Sequence, residues 1–212
     1  MTRLVGAGHR KKRPRLPSPA WDGRRHRYDP ALMRIAGTLD WQPAAEHPEL
    51  LAPPVATAVT ALGLDCRVAA IDPELADTAA FCAAYQVPPE ISANCVVVAG
   101  RRREVSTMAA CMVLATHRAD VNKTVRKHLD VRKISFASMD DAVAQTGMEY
   151  GGITPIGLPD GWPILVDSAA VEPEWVVVGS GIRGSKIILP GPTLARLPSA
   201  EVLELAQPAP SG

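Results

Sequence analysis

Apolar positions follow two spacings along this chain, and the changeover between them marks out its elements. Residues 55–62 carry apolar side chains at helical spacing, with Pro53 and Pro54 at the entrance and Gly63 at the exit, which predicts a helix. Residues 66–71 (C-R-V-A-A-I) read as a strand. Asp72-Pro73-Glu74 is a helix start, an acceptor side chain followed by a proline at the first helical position. Leu75, Ala79, Cys82 and Ala83 continue its apolar face up to Pro88-Pro89. Residues 93–99 and 105–115 are runs rich in Val, Ala and Cys, expected as buried strands joined by a turn at 100–103. Asp120 opens a further helix reaching about Leu129, on which Val121, Val125 and Leu129 share one stripe about 80° wide while Lys123, Arg126 and Lys127 lie opposite.

The second half adds a short strand at 133–136 and a capping box, Ser138-x-x-Asp141, that opens a helix ending at Thr146-Gly147. Strands follow at 164–166, 175–178 and 186–189, then a helical turn at 192–197 and a frayed end from Gln207. Helices alternate with strands early and strands cluster late. This order predicts an α/β single domain with a mixed central β-sheet flanked by helices. We divide the chain into a basic disordered arm (1–35), a helical extension (36–64), the domain proper (65–200) and a C-terminal tail (201–212).

Charge changes the picture at the N-terminus. The 212 residues carry a formal net charge of +1, yet residues 1–34 hold ten Lys/Arg against two Asp, leaving the rest of the chain at −7. The arm's composition suits attraction to a polyanion; it equally suits a solvated tail, or an extension ahead of an alternative start at Met33. Residues 118–133 hold six Lys/Arg against Asp120 and Asp130; such a face is usually just solvated, but its isolation in an acidic body adds weight to a phosphate-binding reading. No apolar run approaches the length of a membrane helix, and Leu4 to Gly8 gives way at once to Arg10–Arg13, unlike a secretory signal. A soluble cytoplasmic protein is expected. Cys66, Cys82, Cys95 and Cys111 have no metal-site spacing, and Cys95 and Cys111 sit inside apolar runs, as small buried hydrophobes in a reducing compartment would. The five histidines form no ligand pattern, so neither a metal nor another cofactor is expected.

Three segments are candidates for chemistry. Residues 147–161 hold five Gly and two Pro; a loop of this kind either aims main-chain N–H groups at a carbonyl oxygen or phosphate, or is an ordinary connector. Asp167 ends the strand I-L-V-D, as a positioning carboxylate or base, or as a cap for the turn after it. Gly179-Ser180-Gly181-Ile182-Arg183-Gly184 matches G-x-G-x-x-G, but it runs into the strand-like K-I-I-L-P instead of a helix. That rules out a dinucleotide fold and leaves a tight turn lining a pocket.

Taken in order, Thr146 to Gly157 (T-G-x-x-x-G-G-I-T-P-I-G), I-L-V-D and V-V-V-G-S-G-I-R-G followed by I-I-L resemble the YbaK/EbsC family of aminoacyl-tRNA deacylases, related to the inserted editing domain of bacterial prolyl-tRNA synthetases. The resemblance spans roughly residues 65–197. It implies hydrolysis, without a metal, of the ester joining a mischarged amino acid to the 3′-terminal adenosine of tRNA. It also implies tRNA as partner, with an aminoacyl-tRNA synthetase as a further candidate. The family's G-x-x-x-P loop falls on Gly151 and Pro155, and its aspartate on Asp167. Gly151, Gly152, Ile153 and Thr154 would then cradle the aminoacyl group, Pro155 would stiffen the cradle, and Asp167 would orient the reacting end. Gly179, Ser180, Gly181 and Gly184 would shape the wall, and Lys123, Arg126 and Lys127 would contact tRNA. The family lysine at the start of the first central strand is replaced: the register places Asn94 there, which can hydrogen-bond but carries no charge. That departure motivates an alternative, a catalytically inactive module of the same fold that binds aminoacyl-tRNA, a nucleotide or an amino-acid derivative.

Overall fold

The computed structural model describes residues 36–209. The basic arm and the last three residues of the expected tail lie outside the described residues.

A two-residue strand, β1 (Gln42–Pro43), precedes helix α1 (Pro53–Leu62). Proline occupies the first turn of α1 and Gly63 closes it at φ +57, a conformation that costs glycine little. Strand β2 (Arg67–Ala70) follows. The single helix expected from Asp72 is divided. Asp72 caps only a 3-10 turn over Pro73–Leu75, and helix α2 (Thr78–Tyr85) takes Asp77 as its own cap, with the Asp77 carboxylate accepting from the Ala79 N–H at 3.1 Å.

Strands β3 (Ala93–Arg102) and β4 (Val105–Leu114) form the longest hairpin. Their pairing runs to Arg102↔Val105, so the turn shrinks to Arg103 and Glu104, with Arg103 at φ +54. After β5 (His117–Ala119) the Asp120 carboxylate caps a π-turn, Val121–Val125, that continues into the short α3 (Arg126–His128). Strand β6 (Lys133–Phe136) leads to α4 (Met139–Thr146), whose capping box forms: the Ser138 hydroxyl accepts from the Asp141 N–H at 3.1 Å. Strand β7 (Ile164–Asp167), turn α5 (Ser168–Val171), the hairpin β8 (Val176–Gly179) and β9 (Ser185–Leu189), and turn α6 (Gly191–Leu194) follow. The chain then forms β10 (Ala200–Leu203) and β11 (Ala206–Pro208).

The strands divide between two main sheets. A mixed five-stranded sheet runs β10-β7-β4-β3-β6, with β7 parallel to both β10 and β4, and a four-stranded antiparallel sheet runs β1-β2-β9-β8. A parallel bridge from Ser92 to Val177 joins the start of β3 to β8. Alternate residues of each buried run enter different cores. Val176 and Val178, Ile164 and Val166, and Met112 meet in one cluster, with Val55 and Val59 of α1. Val177 and Ile188 face a second cluster with Phe81 and Trp175, while Leu165, Cys111 and Val113 face a third with Val121, Val125 and Leu205. Strands buried on both faces explain why these segments read as unbroken apolar runs.

The C-terminal tail departs from expectation. Residues 200–208 are paired, β10 with β7 and β11 antiparallel with β5, because Leu205 is buried and draws the chain back over the third core.

Candidate active site

The Gly-rich loop is fixed from both ends before it reaches any ligand. At its start the Thr146 hydroxyl donates to Ala142 O at 2.7 Å and accepts from the Met148 N–H at 3.2 Å, joining the end of α4 to the loop. Further on it is laced to the β8–β9 turn: the Glu149 N–H donates to Gly181 O, the Gly181 N–H to Gly152 O (both 2.8 Å), and the Arg183 N–H to the Glu149 carboxylate at 2.7 Å. The backbones touch so closely that a Cβ on Gly179 would lie 2.3 Å from Gly152 O, and one on Gly152 would lie 2.5 Å from the Ile182 carbonyl. The G-x-G-x-x-G turn is thus the seat of the loop. It also holds the N-terminal side of the domain, since Ser180 O accepts from the Ala52 N–H and the Ser185 hydroxyl donates to Leu50 O.

Where this assembly meets β3 and the cap of α2 there is a cavity of about 360 Å³, in the lower range of small-molecule sites. Asn94, Gly151, Ile153 and Gly179 all line it. The N–H groups of Gly151 and Ile153 have no acceptor among the described residues. Asn94 is oriented by the Thr78 hydroxyl, which donates to its Oδ1 at 2.5 Å, and this leaves its amide N–H₂ without a protein partner among the described residues. Residues with unpaired hydrogen-bond donors thus line one space, and donors that meet at one point are what stabilises a developing oxyanion. Cys95 also lines the cavity, but burial pushes its thiol well above the ordinary range, so it is no thiolate nucleophile at neutral pH.

The remaining expected residues lie elsewhere. Gly152, Thr154, Pro155, Ser180 and Gly181 are buried behind the cavity wall, where they hold the loop and its seat. The Thr154 hydroxyl is fully buried and has no hydrogen-bond partner among the described residues. Gly184 O accepts from the Ile71 N–H and ties the turn to the end of β2. Asp167 is a correction. Its side chain is 3% exposed and does not line the cavity; the Oδ1 atom accepts from the N–H groups of Leu205 and Ala206, both at 3.0 Å. The structure places it away from the cavity, and its side chain makes no cap hydrogen bond to the turn after it. The N–H groups of Leu205 and of Ala206, the first residue of β11, would otherwise be unpaired, and a carboxylate at the end of β7 satisfies both.

Several lining residues were not singled out from the sequence. Phe136, Met139 and Tyr150 are more than half exposed at the rim, while Arg183 reaches across it, donating to Pro73 O at 2.8 Å and to Tyr150 O at 3.4 Å. Lys186, from β9, is 7% exposed and also lines the cavity. Its one available signal is a charge inside the otherwise apolar run S-K-I-I-L.

A second, more open groove lies on the five-stranded sheet, lined by Arg101, Arg126, Arg132 and Lys133 with no acidic residue among its walls. Arg126 was expected at such a surface; Lys123 and Lys127 are exposed on the same turn of chain but do not line the groove. Strand β3 contributes to both spaces, residues 94–97 to the cavity and residues 99–101 to the groove, so their edges are about 7 Å apart along one strand. Among the described residues no cluster of His, Cys, Asp or Glu could hold a metal ion, and no helix is long and apolar enough to cross a membrane.

A mixed α/β fold whose glycine loop, seated on a β-hairpin turn, closes over a donor-lined cavity defines the class. A family model for the aminoacyl-tRNA editing domain matches residues 72–197, more than half of the chain, and the protein belongs to that family. Among solved structures it is similar to hypothetical protein APE2540, with a TM-score of 0.65 and 19% identity over 73% of this chain and 99% of that one. It is similar also to a candidate trans-editing enzyme for prolyl tRNA synthetase, with a TM-score of 0.64 and 18% identity over 74% of this chain and 96% of that one. At these identities the likeness is one of fold.

Proposed function

We propose that the protein is a trans-editing aminoacyl-tRNA deacylase, hydrolysing in the cytoplasm the ester between a mischarged amino acid and the 3′ end of tRNA. The observation that carries this reading is the pair of unaccepted N–H groups at Gly151 and Ile153 in a cavity shared with Asn94. Water adds to the ester carbonyl, the carbonyl oxygen becomes an oxyanion, and the loop N–H groups with the Asn94 amide donate to it. Collapse breaks the bond to the ribose oxygen, which takes up a proton, and the free amino acid leaves. In this reading the loop holds its donors in place before substrate arrives, because its other backbone groups are already tied to the β8–β9 turn. The basic groove, further along β3, would take phosphates of the acceptor end, with Arg126, Arg132 and Lys133 as contacts and Lys123 and Lys127 at its margin.

The test is deacylation of a panel of mischarged tRNAs, with Gly179→Ala as the control because its methyl would displace the loop. Turnover of at least one substrate, abolished in the control, is the expected result. Tight binding without turnover across the panel would instead establish the inactive binding module that Asn94 at the family lysine position suggests.

A further inference from the structure

Resting on the editing reading, we propose that Lys186 is the cation of this cavity, and that it selects an aminoacyl group bearing a side-chain carboxylate.

The cavity's charged residues are Asp77, Arg183 and Lys186, and they differ in what is left for a ligand. The Asp77 carboxylate caps α2. Arg183 is half-buried, and its guanidinium makes hydrogen bonds to Pro73 O and Tyr150 O; at the rim it suits a phosphate of the RNA, which stays near solvent. Lys186 is buried, forms no ion pair among the described residues, and donates to a single oxygen, Ala76 O, at 2.9 Å, with its Nζ 5.3 Å from the centroid of the Phe81 ring. An ammonium group has three donors, so at least one N–H is left for a group entering the cavity.

The position is set by β-sheet register. Lys186 pairs with Gly179 across β8 and β9, so it shares a sheet face with the residue against which Gly152 and Ile153 pack. The cation therefore stands beside the floor of the aminoacyl cradle, on β9 of the four-stranded sheet, whereas the family lysine position falls on β3 of the five-stranded sheet. A buried, unpaired charge costs stability. Its surroundings show that cost: burial is the main reason its pKa falls from 10.5 to about 8, and Arg183 lowers it further, while Cys82 and Asp77 hold it up. Those three, from α2, its cap and the β8–β9 turn, are the charged and titratable groups that act on it. Near neutral pH the group is still ammonium, and a carboxylate brought into the cavity would supply the missing counter-charge.

The experiment uses the full chain and two non-hydrolysable probes, 3′-aminoacylamino-3′-deoxyadenosines carrying aspartyl or asparaginyl, which differ only in the side-chain charge. Binding is measured calorimetrically at pH 7 and pH 9.5. The expected result is that wild type prefers the aspartyl probe by about tenfold at pH 7. The preference should fall towards unity at pH 9.5 and in Lys186→Met at both pH values, with Lys186→Arg keeping part of it. The ligand's own amino group titrates in both probes, and the ratio measured with Lys186→Met at the same two pH values corrects for it. Equal binding of the two probes by wild type overturns the proposal while leaving the editing reading intact, as does a Lys186→Met variant that weakens both probes alike, the mark of a structural role. Binding of neither probe overturns both.

Discussion

Replacing Lys186 by methionine should stabilise the protein near neutral pH and destabilise it at high pH. The folded-state pKa of about 8 against an ordinary 10.5 means that the folded protein holds the charged form at a disadvantage of about 3 kcal/mol. The unfolded chain binds more protons than the folded one between those two values, so wild-type stability rises with pH through that window, and the full cost is present below pH 8. Methionine removes that cost. It also removes the bond to Ala76 O and the contact over Phe81, together about 2 kcal/mol. The net gain at pH 7 is about 1 kcal/mol, which for a chain of this size raises Tm by about 2–4 °C. At pH 10.5 wild type has largely escaped the cost, so methionine is the less stable by about 1–2 kcal/mol. Differential scanning calorimetry of both proteins from pH 7 to 10.5 measures the difference, in which every other titrating group cancels. A difference that does not change sign or size with pH would refute the reasoning, because it would mean that burial does not perturb this lysine.

Asp167→Asn keeps one acceptor oxygen for the Leu205 and Ala206 N–H groups, so turnover on any accepted substrate should stay within about twofold of wild type, whereas Asp167→Ala leaves buried donors unpaired and should lower stability by about 2–4 kcal/mol. A large loss of turnover in the asparagine variant at unchanged Tm would return Asp167 to the chemistry. Gly179→Ala must move the Gly152 and Ile153 carbonyls, which lie 2.3 and 2.7 Å from the added methyl; a cost of about 1–3 kcal/mol in denaturant unfolding is expected, together with loss of turnover. Arg126→Ala with Arg132→Ala should weaken tRNA binding and reduce the slope of log K against log salt by about 1–2 if each meets a phosphate; an unchanged slope excludes the groove. Removing residues 1–32 and repeating that titration shows whether the arm contributes its share.

Local signals were legible where one short stretch of chain carries all the information. The Ser138 capping box, the Gly63 and Gly147 stops and the proline entrance of α1 depend on a few consecutive residues, and each forms as the sequence indicates. The division of the Asp72 helix was not legible, because Asp72 and Asp77 are both competent caps and packing of Phe81 into the second core decides which one starts the helix.

Long-range pairing accounts for the rest. The apolar runs, the glycine loop and the family motifs stand in the sequence, and together they determine the α/β class and the region of the site. Which strands pair was decided only by the tertiary structure, and with it the surroundings of Asp167, of the chain end and of Lys186. Asp167 became a backbone acceptor because Leu205 returns to the third core 38 residues later. For the same reason Gln207 and Pro208, expected in a frayed end, are paired in β11. Lys186 reached the cavity because β9 lies beside β8 in antiparallel register, opposite Gly179. A side chain's type and spacing can be read along the chain, but its neighbours depend on contacts between distant segments, and burial sets the electrostatic consequences of those contacts.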